Sequence, residues 1–116
     1  MTPHARMVFA LSKPGQDIID SLDAAKAHKL HMAVGISGES GELLDAIKKH
    51  VVYNKPLDRE NVLEELGDLE YYMEGLRQSV GVTREETIEL NIAKLSKRYP
   101  GFSYSDAAAQ ARADKT

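Results

Sequence analysis

An all-α fold is what this sequence predicts, and three observations carry the expectation. β-Branched residues are scattered, and no segment alternates apolar and polar residues for long, so strand signals are weak. Long stretches instead repeat apolar residues at helical spacing. Capping residues stand where those stretches begin, and glycine or proline where they end. The expected architecture is a bundle of about four to five helices. With 116 residues, 42% of them apolar, the chain has room for one domain with an adequate core.

Taken in order, residues 1–13 read as a short first helix or packing arm, interrupted at Lys13-Pro14-Gly15. Ile18, Ile19 and Leu22 form a brief apolar stripe leading to Asp23, the expected cap of a long helix from Ala24 to Val52. On it, Ile36, Leu43, Leu44, Ile47 and Val51 share one broad arc, with Glu39, Glu42, Gly35 and Ala46 at its edge. A turn at Asn54-Lys55-Pro56 follows. Asp58 caps the next helix, Leu57 is positioned to staple onto Val62, and Val62, Leu66, Leu69, Met73, Leu76 and Val80 keep a seven-residue rhythm to the stop at Gly81. Thr83-Arg84-Glu85-Glu86 is a capping box. It opens a last main helix with Ile88, Ile92 and Leu95 on one side and Asn91, Lys94 and Arg98 on a neighbouring stripe. Pro100-Gly101 ends it, so residues 1–101 make the domain. Residues 102–116, rich in alanine and charge, make a tail that is either a marginal helix or mobile.

The formal charge of −3 supplies no basic field for a nucleic-acid polymer. The absence of cysteine excludes disulfides, thiolate ligands and a cysteine nucleophile, and fits a reducing compartment. No run reaches the roughly 18 apolar residues of a membrane span, and the first residues lack a signal-peptide core, so a soluble, cytoplasmic protein is expected. No P-loop, dinucleotide fingerprint, HExxH motif or nucleophile elbow occurs.

The chemistry concentrates in two acidic doublets, Glu39-Ser40-Gly41-Glu42 and Glu65-Leu66-Gly67-Asp68. Carboxylates three residues apart stack on one helix face. Counted outward from the turn, Glu42 and Asp68 each lie on the order of 14 Å along their helices and come level, with Glu39 and Glu65 one turn to opposite sides. Four carboxylates gathered in a partly dry place repel one another unless protons or cations neutralise them, and Mg²⁺ or Mn²⁺ is the natural counter-charge. The plainer alternative is a set of surface charges making helical pairs, such as Glu42 with Lys49. Gly35, Gly38 and Gly41 each weaken a helix by about 1 kcal/mol relative to alanine, which points to a need for close backbone approach, to tight helix packing or to a break near Gly38.

Asn91, Lys94 and Arg98 pair a point charge with a fork of donors and suit a polyphosphate, although cations near a helix C-terminus also suit the dipole. Tyr72 follows Asp68 by one turn and is placed to stack or hydrogen-bond near the acids. Tyr71 reads as core or as an inter-subunit contact. His28 and His31 are candidates for base or phosphate contact rather than metal ligation.

Together the runs Gly35-Ile36-Ser37-Gly38-Glu39-Ser40-Gly41-Glu42-Leu43-Leu44-Asp45, Glu64-Glu65-Leu66-Gly67-Asp68 and Asn91-Ile92-Ala93-Lys94-Leu95-Ser96-Lys97-Arg98-Tyr99-Pro100 closely resemble the MazG-like all-α nucleoside triphosphate pyrophosphohydrolases. The likeness covers about residues 24–101. It implies an E-x-x-E…E-x-x-D metal site on Glu39, Glu42, Glu65 and Asp68, Mg²⁺ dependence, phosphate contacts from Lys94 and Arg98, and a homodimer or homotetramer whose sites draw on helices of associated subunits. Many relatives carry Glu-Glu at the start of the first motif, where this chain has Gly38. Either the supporting acid is missing or Glu64 takes a similar part. The expected reaction is hydrolysis of a (deoxy)nucleoside triphosphate to the monophosphate and pyrophosphate. Glu39 orients or deprotonates the water in this reading, Glu42, Glu65 and Asp68 chiefly hold metal, Asn91 helps to hold the polyphosphate, and His31 and Tyr72 line the base pocket. The alternatives are a triphosphatase releasing orthophosphate and a non-enzymatic helical oligomerisation module whose acids bind a structural cation.

Overall fold

A computed structural model describes residues 1–115, and among them it contains α-helices and 3₁₀ turns but no strand. The order is α1 (Pro3–Leu11), α2 (Gly15–Ser21), α3 (Ala24–Val51), α4 (Arg59–Val80) and α5 (Arg84–Arg98). A 3₁₀ turn (Pro100–Phe102), a short α6 (Asp106–Ala111) and a second 3₁₀ turn (Ala113–Lys115) follow.

Each boundary has a local chemical cause. The Asp23 carboxylate accepts the Lys26 backbone N–H at 2.8 Å, the Asp58 carboxylate accepts from Asn61 at 3.1 Å, and the Thr83 hydroxyl accepts from Glu86 at 3.1 Å, so three helices open on side chains that satisfy an otherwise orphaned donor. Gly81 closes α4 in the left-handed region, φ 74°, where its N–H reaches back to the last carbonyls. Tyr99 ends α5, its N–H donating to Leu95 O at 2.8 Å, and Gly101, φ 69°, turns the chain within the 3₁₀ turn that follows.

The α3–α4 hairpin is the body of the molecule. Its connection, residues 52–58, folds back over the end of α3: Val52 N–H donates to Lys48 O at 2.7 Å, Lys55 N–H to Lys49 O at 3.3 Å, and the His50 ring nitrogen lies 2.8 Å from Lys55 O. Asn54 takes positive φ, 52°, to make that reversal.

Two expectations gain detail. A bundle of about four to five helices was expected, oligomerising through the bundle, and a single chain packs chiefly the α3–α4 hairpin: Met32 and Ala46 are the buried apolar residues among those described, and Leu44, Val51, Leu66 and Val80 of the predicted core stripes are exposed. The stripes are real at helical spacing, yet one chain offers no third layer to cover them. The segment after Pro100, expected as a marginal helix or mobile tail, forms the helical alternative. Ser105 caps α6 by accepting from Ala108 at 3.0 Å, and the following turn returns to α5. No helix among the described residues is long and apolar enough to cross a membrane.

Candidate functional site

Helices α3 and α4 meet through two reciprocal knob-and-hole contacts. The Tyr72 ring of α4 lies on the backbone of Gly35 in α3, so close that a Cβ there would overlap the ring. Met32 of α3 sits in the same way in the hole left by Gly75 of α4. Nothing lies within 4 Å of a Cβ built on Gly38 or Gly41, so close approach accounts for the first glycine of the predicted trio and not for the other two.

These contacts set the register of the hairpin. Continued along the antiparallel pair, the pairing of Met32 with Gly75 and of Gly35 with Tyr72 brings Glu39 level with Asp68 and Glu42 level with Glu65. That differs by one helical turn from the alignment counted from the loop, which put Glu42 level with Asp68. The loop folds back on the end of α3, so the two helix ends are not level.

In this register one oxygen from each of Glu39, Glu65 and Asp68 lies within 4.8 Å of the others. Glu39 and Glu65 are half-buried and Asp68 is exposed. Glu65 Oε2 is buried with no hydrogen-bond partner. The Glu65 carboxyl is pushed up to about 7, first by its hydrogen bond to Glu39, then by burial, then by the negative charges of Glu39, Asp68 and Glu42. Glu42 thus acts on the cluster through its charge while its side chain stays exposed outside the trio. Glu64, the neighbouring acid considered as a substitute for the residue replaced by Gly38, is exposed and also outside it. Lys49 pairs with Asp45 at 3.0 Å rather than with Glu42, so the simple helical pairing does not neutralise the cluster.

One turn from Glu42 and Glu65, toward the loop, a cavity of about 290 Å³ is lined by Ala46, Lys49, Lys55, Pro56, Asp58 and Asn61. One turn from Asp68 on the other side, Tyr72 makes edge contacts with His31, centroids 6.1 Å apart, and with Tyr71, 5.1 Å. One face of Tyr72 is covered by α3 at Gly35, and the side chain stays partly exposed. Tyr71 is 68% exposed, so it is not core in the single chain. His28 is exposed and lies outside the carboxylate cluster.

The predicted cations lie elsewhere. Asn91 and Lys94 are exposed on α5, which packs chiefly on the segment that follows it. A single chain therefore gathers the carboxylates with one another and the cations with one another. Arg98 is held by Asp114 in a two-pronged pair, Nε to Oδ1 at 2.6 Å and Nη2 to Oδ2 at 3.1 Å. Sequence reading missed Asp114, because no periodicity links residues in different elements sixteen positions apart.

Acidic oxygens this close, one of them buried without a donor, make a group that could hold a hard cation. No curated protein and no solved structure matches the chain. The MazG nucleotide pyrophosphohydrolase domain matches residues 27–103, a span that takes in both acidic doublets and the α5 cations. The chain belongs to the MazG nucleotide pyrophosphohydrolase domain family.

Proposed function

We propose that this protein hydrolyses a (deoxy)nucleoside triphosphate between its α- and β-phosphates, releasing the monophosphate and pyrophosphate, with Mg²⁺ or Mn²⁺ as cofactor. The observation that carries the reading is the Glu39–Glu65–Asp68 cluster with its unpartnered Glu65 oxygen, inside a MazG domain. The donors fit such an ion: all are carboxylate oxygens, they converge, and the buried one has no protein donor to satisfy it. Glu39, Glu65 and Asp68 would hold the cation, with Glu42 adding charge from the next turn. When bound, a divalent cation neutralises phosphate charge and lowers the pKa of a water.

The chain's own groups supply the rest. Glu39 is the base that orients the attacking water and receives its proton, with Glu65 beside it ionised once a cation is bound. Lys94 and Arg98 supply positive charge for the polyphosphate and Asn91 an amide contact. The rims of Tyr72 and His31 border the nucleoside side of the cluster, and the cavity toward the loop gives space on the other side.

The complete site is an assembly of more than one chain in this reading, a homodimer or homotetramer. The radius of gyration is 19.9 Å, whereas a compact chain of this length has about 13 Å, and the apolar stripes of α3, α4 and α5 are uncovered. Association would cover those stripes and bring the α5 cations of one subunit toward carboxylates of another. A cytoplasmic location would supply the triphosphate.

The experiment is ³¹P NMR of the products from a panel of NTPs and dNTPs with Mg²⁺ or Mn²⁺. Pyrophosphate with a monophosphate is the expected result. Orthophosphate moves the cut by one phosphate, and no turnover with any nucleotide or metal favours a structural cation in a helical oligomerisation module.

A further inference from the structure

The Asp114 side chain is 3% exposed, an unusual place for a carboxylate in a segment that otherwise buries little. Its burial is offset by the Arg98 guanidinium, which it engages with both oxygens. Around it lies a cleft of about 470 Å³ lined by Leu90, Ala93, Lys94, Lys97 and Lys115 together with Asp114 itself. Arg98 is 18% exposed, and its Nε and Nη2 are both engaged by Asp114. The segment that delivers Asp114 is short: a six-residue helix and one 3₁₀ turn, hinged at Arg112 in the left-handed region, φ 49°. A non-glycine residue there carries a backbone cost that the Arg98–Asp114 pair helps to offset.

A carboxylate held by both oxygens on an arginine fork occupies the donors that a phosphate would use, and a triphosphate offers more charge to the same cluster of cations. We propose that the segment Ser103–Lys115 is an autoinhibitory strap, in which Asp114 occupies the phosphate-binding face of Arg98 and is displaced when a polyphosphate enters the cleft lined by Lys94, Lys97 and Lys115. This rests on the reading of Lys94 and Arg98 as phosphate contacts. The strap makes apparent affinity the difference between two ligands of one arginine, so nucleotide binding at low concentration is opposed by the protein's own side chain. Asp114 is held below the ordinary carboxylate range, first by its hydrogen bonds to Arg98 and with a contribution from the charge of Lys94, consistent with a strap that stays charged and closed at neutral pH.

The test uses inorganic tripolyphosphate, which needs no turnover, in calorimetric titrations of the full chain with Mg²⁺. Asp114→Asn keeps the shape of the side chain and removes its charge. It is expected to bind tripolyphosphate about tenfold more tightly than the wild type, with the gain abolished in the Asp114→Asn/Arg98→Gln double variant. Equal or weaker binding by Asp114→Asn, including no binding by either protein, overturns the strap. Where Asp114→Asn does not fold, amide hydrogen exchange of the wild type decides. Tripolyphosphate is expected to speed exchange in residues 106–115, whereas unchanged or slower exchange there marks a structural clip and overturns the proposal. Tighter Arg98-dependent binding without any nucleotide hydrolysis would leave the strap standing and remove the pyrophosphohydrolase reading instead.

Discussion

Glu65 concentrates the electrostatics of this protein into one side chain. Its carboxyl is pushed up from the ordinary 4.5 to about 7, first by the hydrogen bond to Glu39, then by burial, then by the negative charges of Glu39, Asp68 and Glu42. A carboxyl whose folded pKa is raised binds its proton more tightly folded than unfolded, so the stability it contributes is fully present below about 4.5 and is lost as pH rises toward 7. The metal-free protein is therefore expected to melt at progressively lower temperature between pH 5 and 7, in scanning calorimetry at constant ionic strength. Added Mg²⁺ or Mn²⁺ should raise the melting temperature more at pH 8 than at pH 5, because cation and proton compete for the same oxygens. A metal effect independent of pH would place the ion away from Glu65. Glu65→Ala or Asp68→Ala is expected to abolish nucleotide hydrolysis and the metal-induced shift while leaving the far-ultraviolet circular dichroism of a helical protein. Turnover retained in either variant would overturn the metal assignment.

Two glycine holes decide how α3 and α4 pair, and the prediction at this scale is a contrast between glycines. At Gly35 a methyl group would meet the Tyr72 ring, and at Gly75 it would meet the Met32 sulfur. Gly35→Ala is expected to destabilise by about 1–3 kcal/mol in urea titrations, the usual range for overpacking, with Gly75→Ala milder because a methionine moves more easily than a ring. Gly41 faces open space, so Gly41→Ala should instead gain about 0.5–1 kcal/mol from helix propensity. Equal effects at Gly35 and Gly41 would mean that the register is set elsewhere. The helix starts are a separate device: Asp23→Ala or Thr83→Ala removes the acceptor for one backbone donor and should cost about 1 kcal/mol, read as a lower urea midpoint with an unchanged slope.

For the molecule as a whole, the decisive quantity is apolar surface left uncovered. Leu44, Val51, Leu63, Leu66, Leu90 and Ile92 are exposed along the three long helices, and α1 leaves Phe9 and Leu11 78% and 76% exposed. A chain that buries so little is not expected to hold its fold by itself, and in the proposed assembly its stability would depend on protomer concentration. Light scattering coupled to size exclusion is expected to give twice or four times the chain mass, and the melting temperature should fall on dilution. A monomeric mass with a concentration-independent melt would contradict the proposed assembly.

What the sequence determined by itself is what short-range rules govern. Caps at Asp23, Asp58 and Thr83, the stop at Gly81 and the period of the apolar stripes act within a turn or two of helix, so the bounds of α3, α4 and α5 could be read to within a residue, whereas α1, α2 and α6, with weaker local signals, could not. The stacking of Glu39 with Glu42, and of Glu65 with Asp68, follows from the helical period alone. Only the tertiary structure decided which carboxylates converge. Register depends on Tyr72 meeting Gly35 and Met32 meeting Gly75 across the hairpin, and a loop folded back over α3 shifted the alignment by a turn from the count along the chain. The pairing of Arg98 with Asp114 was hidden for the same reason: a contact between separate elements leaves no periodic trace in sequence, and its energy exists only once both backbones are in place.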